Sequence, residues 1–463
     1  MSLKRKQPSS AVAKLKRRLG AAAVLTDPQR LVEFGGDTWF AHHQPEMVVF
    51  PRDAAEVSAV MKIAAAHRLP VTTRGAGWGS VGGCVPVQGG IVLAMRGMNR
   101  ILEIDEGDFV AVVQPGVITG DLQAAARKKN LFYPPDPASL KNCSLGGNIA
   151  TNAGGPRCLK YGVTRHYVLG LEVVLANGDI VRCGGRTHKN KTGFDLVGLF
   201  TGSEGLLGVV TEATLRLLPR PPARAALSAG FSDMRAAAGA IREVFARGFL
   251  PAAVEIADRF TLEAAREFRP GAKFPPGHAI VLIEIDGQPG TVRAEIRTLA
   301  RLLRDAKATR VETATTEAAC EKLWDLRRAF SESLKATGLK KLNEDIVVPR
   351  SRLVDLMTFA QKLQKRCNFP IACFGHAGDG NIHVNFMVGD YDIPAIKRRA
   401  DAALDELFER VVGWGGAITG EHGIGLAKKP WWNLALSSEN RALHASLKRS
   451  LDPQNCLNPG KFL

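Results

Sequence analysis

Between residues 53 and 67 the apolar positions Val57, Val60, Met61 and Ala64 recur at helical spacing, which predicts an amphipathic helix. Asp53 stands at its start with Glu56 three residues on, the pattern of a capping box. A short β-branched run at 69–74 follows and opens into a glycine-rich loop at 75–83. From 91 to 113 the pattern alternates as strands do (IVLAM, ILEID, FVAVV), and 118–129 returns to helical spacing. The Pro-, Gly-, Asn- and Ser-rich stretch 133–162 predicts a long irregular loop, and loops of that length in compact domains are usually functional. LGLEVVLANGDIVRCG then predicts a hairpin turning at Asn177 and Gly178.

The sharpest break is Pro219-Arg220-Pro221-Pro222, just after the strand-like VVTEATLRLL, and it predicts a domain boundary. Beyond it, helical stretches (AAAGAIREVFARG, TVRAEIRTLARLLRDA, KLWDLRRAFSESLKATG) are mixed with β stretches (AIVLIEIDG, DIVVP). That order fits an α+β domain better than a strict βαβ series. No apolar run approaches the ~18 residues of a membrane-spanning helix.

Lys and Arg total 62 against 45 acids, a formal charge of +17. Residues 1–20 carry Lys4, Arg5, Lys6, Lys14, Lys16, Arg17 and Arg18 and no acid, a basic arm. Such an arm is either a handle for anionic lipid, nucleic acid or an acidic partner, or a solvated tail. The arm lacks the apolar core and cleavage site of a secretory signal, and the eight cysteines form no C-x-x-C pair. Both points lead to the expectation of a cytoplasmic protein with reduced thiols, peripheral to a membrane at most. A nucleophile elbow, a Walker A lysine motif, zinc-finger spacing and nucleic-acid recognition modules are absent.

Four constellations carry chemistry. In Arg74-Gly75-Ala76-Gly77-Trp78-Gly79-Ser80-Val81-Gly82-Gly83 the glycines formally match G-x-G-x-x-G. Pro86 and a β-like run follow in place of the helix that a Rossmann motif must open, so that reading fails. Either a loop whose backbone N–H groups cradle a pyrophosphate or a tight surface turn remains. The small, hydrogen-bonding segment from Pro135 through Ser139, Ser144, Gly146, Gly147, Asn148, Thr151, Gly154 and Gly155 suits a large polar ligand, and GSEGLLGVV is a third glycine-rich approach. GHAGDGNIHVN carries His376 and His383, and TGEHGIG carries Glu421 and His422. Imidazole nitrogens and a carboxylate suit a borderline cation such as zinc or manganese, with a hydrogen-bond network as the alternative. Arg327, in WDLRRAFS, has the fork that grips a carboxylate.

Taken in order, RGAGWGSVGG, DPASLKNCSLGGNIATNAGG, LGLEVVLANG, TGSEGLLGVVTEATLRLLPRP, GHAGDGNIHVN, GGAITGEHGIG and LNPGK resemble the FAD-linked D-2-hydroxy-acid dehydrogenases. That family spans glycolate oxidase flavin subunits, D-lactate dehydrogenases and D-2-hydroxyglutarate dehydrogenases, among the vanillyl-alcohol oxidase-type flavoproteins. The resemblance implies an α+β chain. A two-lobed PCMH-type FAD-binding domain (21–220) follows the arm (1–20). A ferredoxin-like α+β substrate domain with an antiparallel sheet (221–415) precedes a segment (416–463) that returns to the flavin. It implies FAD held by Arg74, Gly75, Ala76, Gly77, Trp78 and Gly79, by Pro135 and Ser139 through Gly155, and by Gly208, Val209 and Lys461. It also implies a divalent metal, zinc before manganese or iron, on His376, His383 and Glu421. His422 becomes the base, and Arg327, Ser331 and Asn385 meet a small 2-hydroxy acid, glycolate or D-lactate before D-2-hydroxyglutarate. The electron acceptor stays open, partner subunits included, and so does a purely flavin-binding role in a multi-subunit oxidase. Trp78 and Leu206 depart from the small polar residue and the threonine usual in relatives. The 74–83 loop has no histidine to tether flavin, so the FAD is expected to be non-covalent.

Overall fold

The computed structural model describes residues 8–463, so Lys4, Arg5 and Lys6 lie outside the described residues. The chain divides into two compact units. The first runs up to Gly154 and adds Val163–Arg220 and Glu421–Leu463; the second comprises Gly155–Gly162 and Pro221–Gly420. Helices and mainly antiparallel sheets are mixed in both, an α+β architecture.

In the first unit, Ala11, Leu15 and Leu19 place one face of the helix Pro8–Leu19 in the core. From Pro8 onward the basic arm is therefore a packed helix and no loose tail. Lys14 Nζ meets His67 Nε2 at 3.1 Å, at the end of the helix Ala54–His67. Asp53 caps that helix by accepting the Glu56 N–H at 2.9 Å, while Glu56 reaches back to the Arg52 N–H, one residue beyond the expected box. The strands Val71–Arg74 and Met47–Val49 flank Ile91–Ala94 in parallel. A second, five-stranded antiparallel sheet holds the predicted hairpin, Val168–Val174 with Ile180–Gly184. The stretch 133–162 is not irregular throughout: it contains the helices Leu145–Thr151 and Cys158–Tyr161. Small residues are what let the first of these form so close to its neighbours, since a Cβ on Gly146 would stand 2.6 Å from Pro115.

The second unit is built on a seven-stranded sheet. Its order is Arg310–Ala314, Ala223–Phe231, Ala279–Gly287, Ala253–Ala257, Ile371–His376, Asn381–Val388, Lys340–Val347. Register pairs Glu255 with His376, Phe374 with His383, His383 with Asp345, and Asn385 with Asn343. Because side chains alternate along a strand, these residues share one face. The helices Arg259–Phe268 and Glu317–Ala336 cover that face through Leu262, Ala265, Phe330 and Leu334.

The short piece Gly155–Gly162 is fastened to this sheet by charge. Arg157 Nε donates to Glu284 Oε1 at 2.8 Å, while Arg224 and the Trp324 indole N–H take Oε2 at 3.0 and 2.6 Å. Tyr161 donates to Asp286 at 2.8 Å. Glu284 is 1% exposed, so removing its charge takes a buried carboxylate partner from Arg157 and from Arg224, which keeps Glu317. Glu284→Ala should therefore lower the unfolding free energy by about 3–5 kcal/mol in a urea titration. A change under ~1 kcal/mol would show that the cluster is solvated in practice.

Candidate active site

The strand Val71–Arg74 delivers the chain into the glycine loop, and Arg74 shapes that loop from beneath. Its guanidinium donates to the Gly36 carbonyl and meets Cys84 Sγ at 3.2 Å. Gly77 has φ +78°, and a Cβ there would lie 2.1 Å from Arg74 Nη2. Gly75 is packed as closely, with Ser144 Oγ 2.3 Å from where its Cβ would be, and Ser144 Oγ accepts the Ala76 N–H at 3.1 Å. Thr38 closes the far end by donating twice to the Gly79 carbonyl. Trp78 is about half exposed. Burial pushes the Asp37 carboxyl beside this loop up to about 6, against the Trp39 N–H and the Arg74 charge, which weakens negative charge there.

The other glycine-rich segments lie against the first. Gly202 and Glu204 donate their N–H groups to the Ile149 and Ala150 carbonyls, both at 2.8 Å. Several residues of this group have side chains engaged with protein. Asn148 donates to Thr119 at 2.6 Å, Thr151 to the Gly147 carbonyl at 3.2 Å, and Lys461, fully buried, to the Val85 carbonyl at 2.5 Å. Burial draws the Lys461 amine down to about 8. The Pro135 carbonyl takes Gln123, the Ser139 carbonyl caps a turn, Gly208 fits under Val173, and Val209 lies in the core. Gly154 ends the first unit and Gly155 starts the second.

Glu204, which the sequence did not single out, locks the C-terminal return. It is half-buried, and its two oxygens accept the Ile424 and Gly425 N–H groups at 2.8 Å each. Asn458 ties the Glu204 carbonyl to that of Gly83, at 2.8 and 2.9 Å. The stretch 421–425 is thus fixed in the first unit, with His422 Nε2 3.7 Å from Glu421 Oε1.

In the second unit, His376 and His383 are buried with ring centroids 5.7 Å apart and nearly perpendicular planes. His376 Nδ1 lies 2.6 Å from Glu255 Oε1, and Arg327 Nε donates to Glu255 Oε2 at 2.5 Å. Burial pushes the Glu255 carboxyl up, but His376 and Arg327 outweigh it and hold it below the ordinary range. The Arg327 guanidinium also lies over the Phe374 ring at 4.9 Å. Ser331, one helical turn on, accepts from Lys341 Nζ at 2.8 Å. Burial, aided by Lys335, pulls the Lys341 amine down to about 8. Asn385 is fully buried and donates to the Ala372 and His383 carbonyls, while its Oδ1 has no hydrogen-bond partner among the described residues. Asp345 takes Thr419 Oγ1 and the Gly420 N–H, both at 2.9 Å, and so fixes the backbone that leads into Glu421. Glu255, Lys341 and Asp345 also escaped the sequence reading. A lone acid inside an apolar strand (AVEIA) is the signal that would have found Glu255.

Two family descriptions match the chain: FAD linked oxidases, C-terminal domain, over residues 220–462, and FAD binding domain over residues 45–184. The chain belongs to the FAD-linked oxidases. It is 42% identical over 418 residues to glycolate oxidase subunit GlcD of Bacillus subtilis, covering 90% of this chain and 89% of that one. It is 33% identical over 426 residues to D-lactate dehydrogenase of Anaerostipes hadrus, covering 90% of each. Its fold is that of p-cresol methylhydroxylase, with TM-score 0.79 and 21% identity over 98% of this chain and 96% of that one. This FAD-linked oxidoreductase is therefore an α+β flavoprotein. Among the described residues no helix is long and apolar enough to cross a membrane.

Gly75 and Gly77 let the loop close tightly on Ser144 and Arg74, where side chains would clash. Gly77→Ala forces a positive φ on alanine and displaces the Arg74 guanidinium, a cost of about 1–3 kcal/mol. FAD retention on gel filtration should fall by roughly 10–100-fold in apparent affinity, while Trp78→Ser should leave it within about threefold.

Proposed function

We propose that this FAD-linked oxidase converts a short D-2-hydroxy acid, glycolate or D-lactate before D-2-hydroxyglutarate, into its 2-oxo acid. The observation that carries the reading is the buried wall of the second unit, where Arg327 and Lys341 stand on the same face as His376 and His383. Cations suit a carboxylate, and imidazoles suit an ionisable hydroxyl or the metal that activates one. The names of the relatives, glycolate oxidase subunit and D-lactate dehydrogenase, support the same substrate class.

His376 and His383, with Glu421, offer two imidazoles and a carboxylate, a donor set that fits a divalent metal, zinc before manganese or iron. Glu421 follows directly on Gly420, whose N–H Asp345 holds. When bound, the metal supplies Lewis-acid polarisation of the hydroxyl and the non-covalent FAD supplies a hydride acceptor. Arg327 spends Nε on Glu255 and keeps its Nη groups for the substrate carboxylate. Lys341 adds positive charge through Ser331. Asn385 leaves an acceptor, Oδ1, open on the same face. His422 removes the proton of the 2-hydroxyl, work that imidazole performs near neutral pH. Electrons then pass to an acceptor of unidentified class, a partner subunit being favoured by relatives named as subunits. The enzyme works in the cytoplasm, and Lys14, Lys16, Arg17 and Arg18 of the first helix are the place for any peripheral contact with an anionic membrane.

Anaerobic mixing with a panel of D- and L-2-hydroxy acids tests the reading: flavin absorbance should bleach with glycolate or D-lactate. Bleaching by none of them would leave a flavin-binding subunit without catalysis of its own. His422→Ala should lower kcat by about 10²–10⁴-fold with flavin content unchanged. Lys341 is a cation below about 8 and loses its proton above it, so its help in binding an anion is present below that pH and lost above it. kcat/KM for the acid should accordingly fall as pH rises through about 8, and Lys341→Arg, charged throughout, should remove that limb.

A further inference from the structure

We infer that Glu255 is a positioning residue that sets which nitrogen of His376 binds the metal and ties that ligand to the substrate-gripping arginine. This rests on the metal proposed above. Glu255 is 1% exposed and lies in an otherwise apolar strand. Register places it directly across from His376. Its two oxygens divide their work, Oε1 toward His376 Nδ1 at 2.6 Å and Oε2 toward Arg327 Nε at 2.5 Å. A carboxylate in contact with a guanidinium can only accept, so the proton on the His376 ring belongs on Nδ1. The lone pair is then on Nε2, and the metal binds there. A neutral imidazole whose N–H is held by a carboxylate is also a better and better-aimed ligand.

The second consequence concerns Arg327. Its Nε bond to Glu255 and the Phe374 face beneath it fix the guanidinium plane, so the Nη pair is presented in one orientation. One buried carboxylate thus orients both the metal ligand and the carboxylate clamp. The neighbouring buried Glu284 faces Arg157, Arg224 and Trp324 instead.

The test uses full-length, FAD-loaded wild type, Glu255→Gln and, as a buried-acid control on the same sheet face, Glu284→Gln. Each is stripped with a chelator and titrated with Zn²⁺ against a chromophoric competitor. Glu255→Gln is near-isosteric, so FAD content and melting curve report whether it folds. Zinc affinity should fall by about 10–100-fold in Glu255→Gln, with KM for glycolate raised in parallel, and should stay within about threefold of wild type in Glu284→Gln. Wild-type zinc affinity in Glu255→Gln would overturn the inference and leave the proposed metal standing. Equal loss in both variants would also overturn it, since the effect would then be general destabilisation. Wild type that binds no zinc, manganese or iron would overturn the metal reading itself, and with it this role for Glu255.

Discussion

Glu204 is half-buried, and its two oxygens are met by the N–H groups of Ile424 and Gly425, 220 and 221 residues further along the chain. A carboxylate in such a place must find donors or take up a proton, at a cost of several kcal/mol. Meeting that demand draws the TGEHGIG turn against the flavin-domain glycines, because only a turn with free backbone donors can come so close. Gly425 has φ +49° and its absent Cβ would stand 2.3 Å from the Val81 carbonyl. The acid and the glycines are two halves of one device. Its result is that a segment from the end of the chain becomes part of the first unit, carrying His422 with it.

The second unit applies the same constraint three more times. Asp345 gathers Asn381, Thr419 and Gly420, Glu284 gathers two arginines and an indole, and Glu255 gathers His376 and Arg327. Each of these acids satisfies its own desolvation by fixing groups with no local reason to be rigid. An arginine free in water samples many rotamers, and immobilising it costs about 1.5–2 kcal/mol. Where Glu255 and Phe374 have already restricted Arg327, substrate binding is spared part of that cost, which is the physical content of preorganisation.

Local signals in the sequence carried far. The Asp53 cap and the hairpin at Asn177 and Gly178 both rest on interactions within a few residues, and such interactions are visible in a string of letters. The glycine-rich motifs were legible for the same reason. The residues that were not legible act across long separations. Glu255 and His376 are 121 positions apart, and only strand register makes them neighbours. Lys341 reads as one of two adjacent lysines until Ser331 is brought to it by the packing of the helix Glu317–Ala336. The arm at 8–19 reads as charge alone, since three buried apolar residues among many bases make a weak periodicity until the helix Ala54–His67 is there to receive them. The segment 133–162 reads as loop because its many Gly, Pro, Asn and Ser residues have poor helix propensity, and tertiary packing overrides that preference for the length of two short helices.

On the His376 face Arg327 and Lys341 balance Glu255 and Asp345 in number, so the case for an anionic ligand rests on where the charges are placed. Glu255 and Asp345 are both consumed by donors of the protein, one by an arginine and an imidazole, the other by an amide, a hydroxyl and a backbone N–H. Lys341 is paired only with a neutral hydroxyl, so its charge is not cancelled locally, and burial has already weakened its hold on the proton. A buried cation of this kind is a standing cost until an anion arrives. A substrate carboxylate relieves it, and that relief is binding energy which an uncharged alcohol of the same shape does not obtain. The proposed preference for hydroxy acids over simple alcohols would follow from the electrostatics of this wall, ahead of any contact with the carbon that is oxidised.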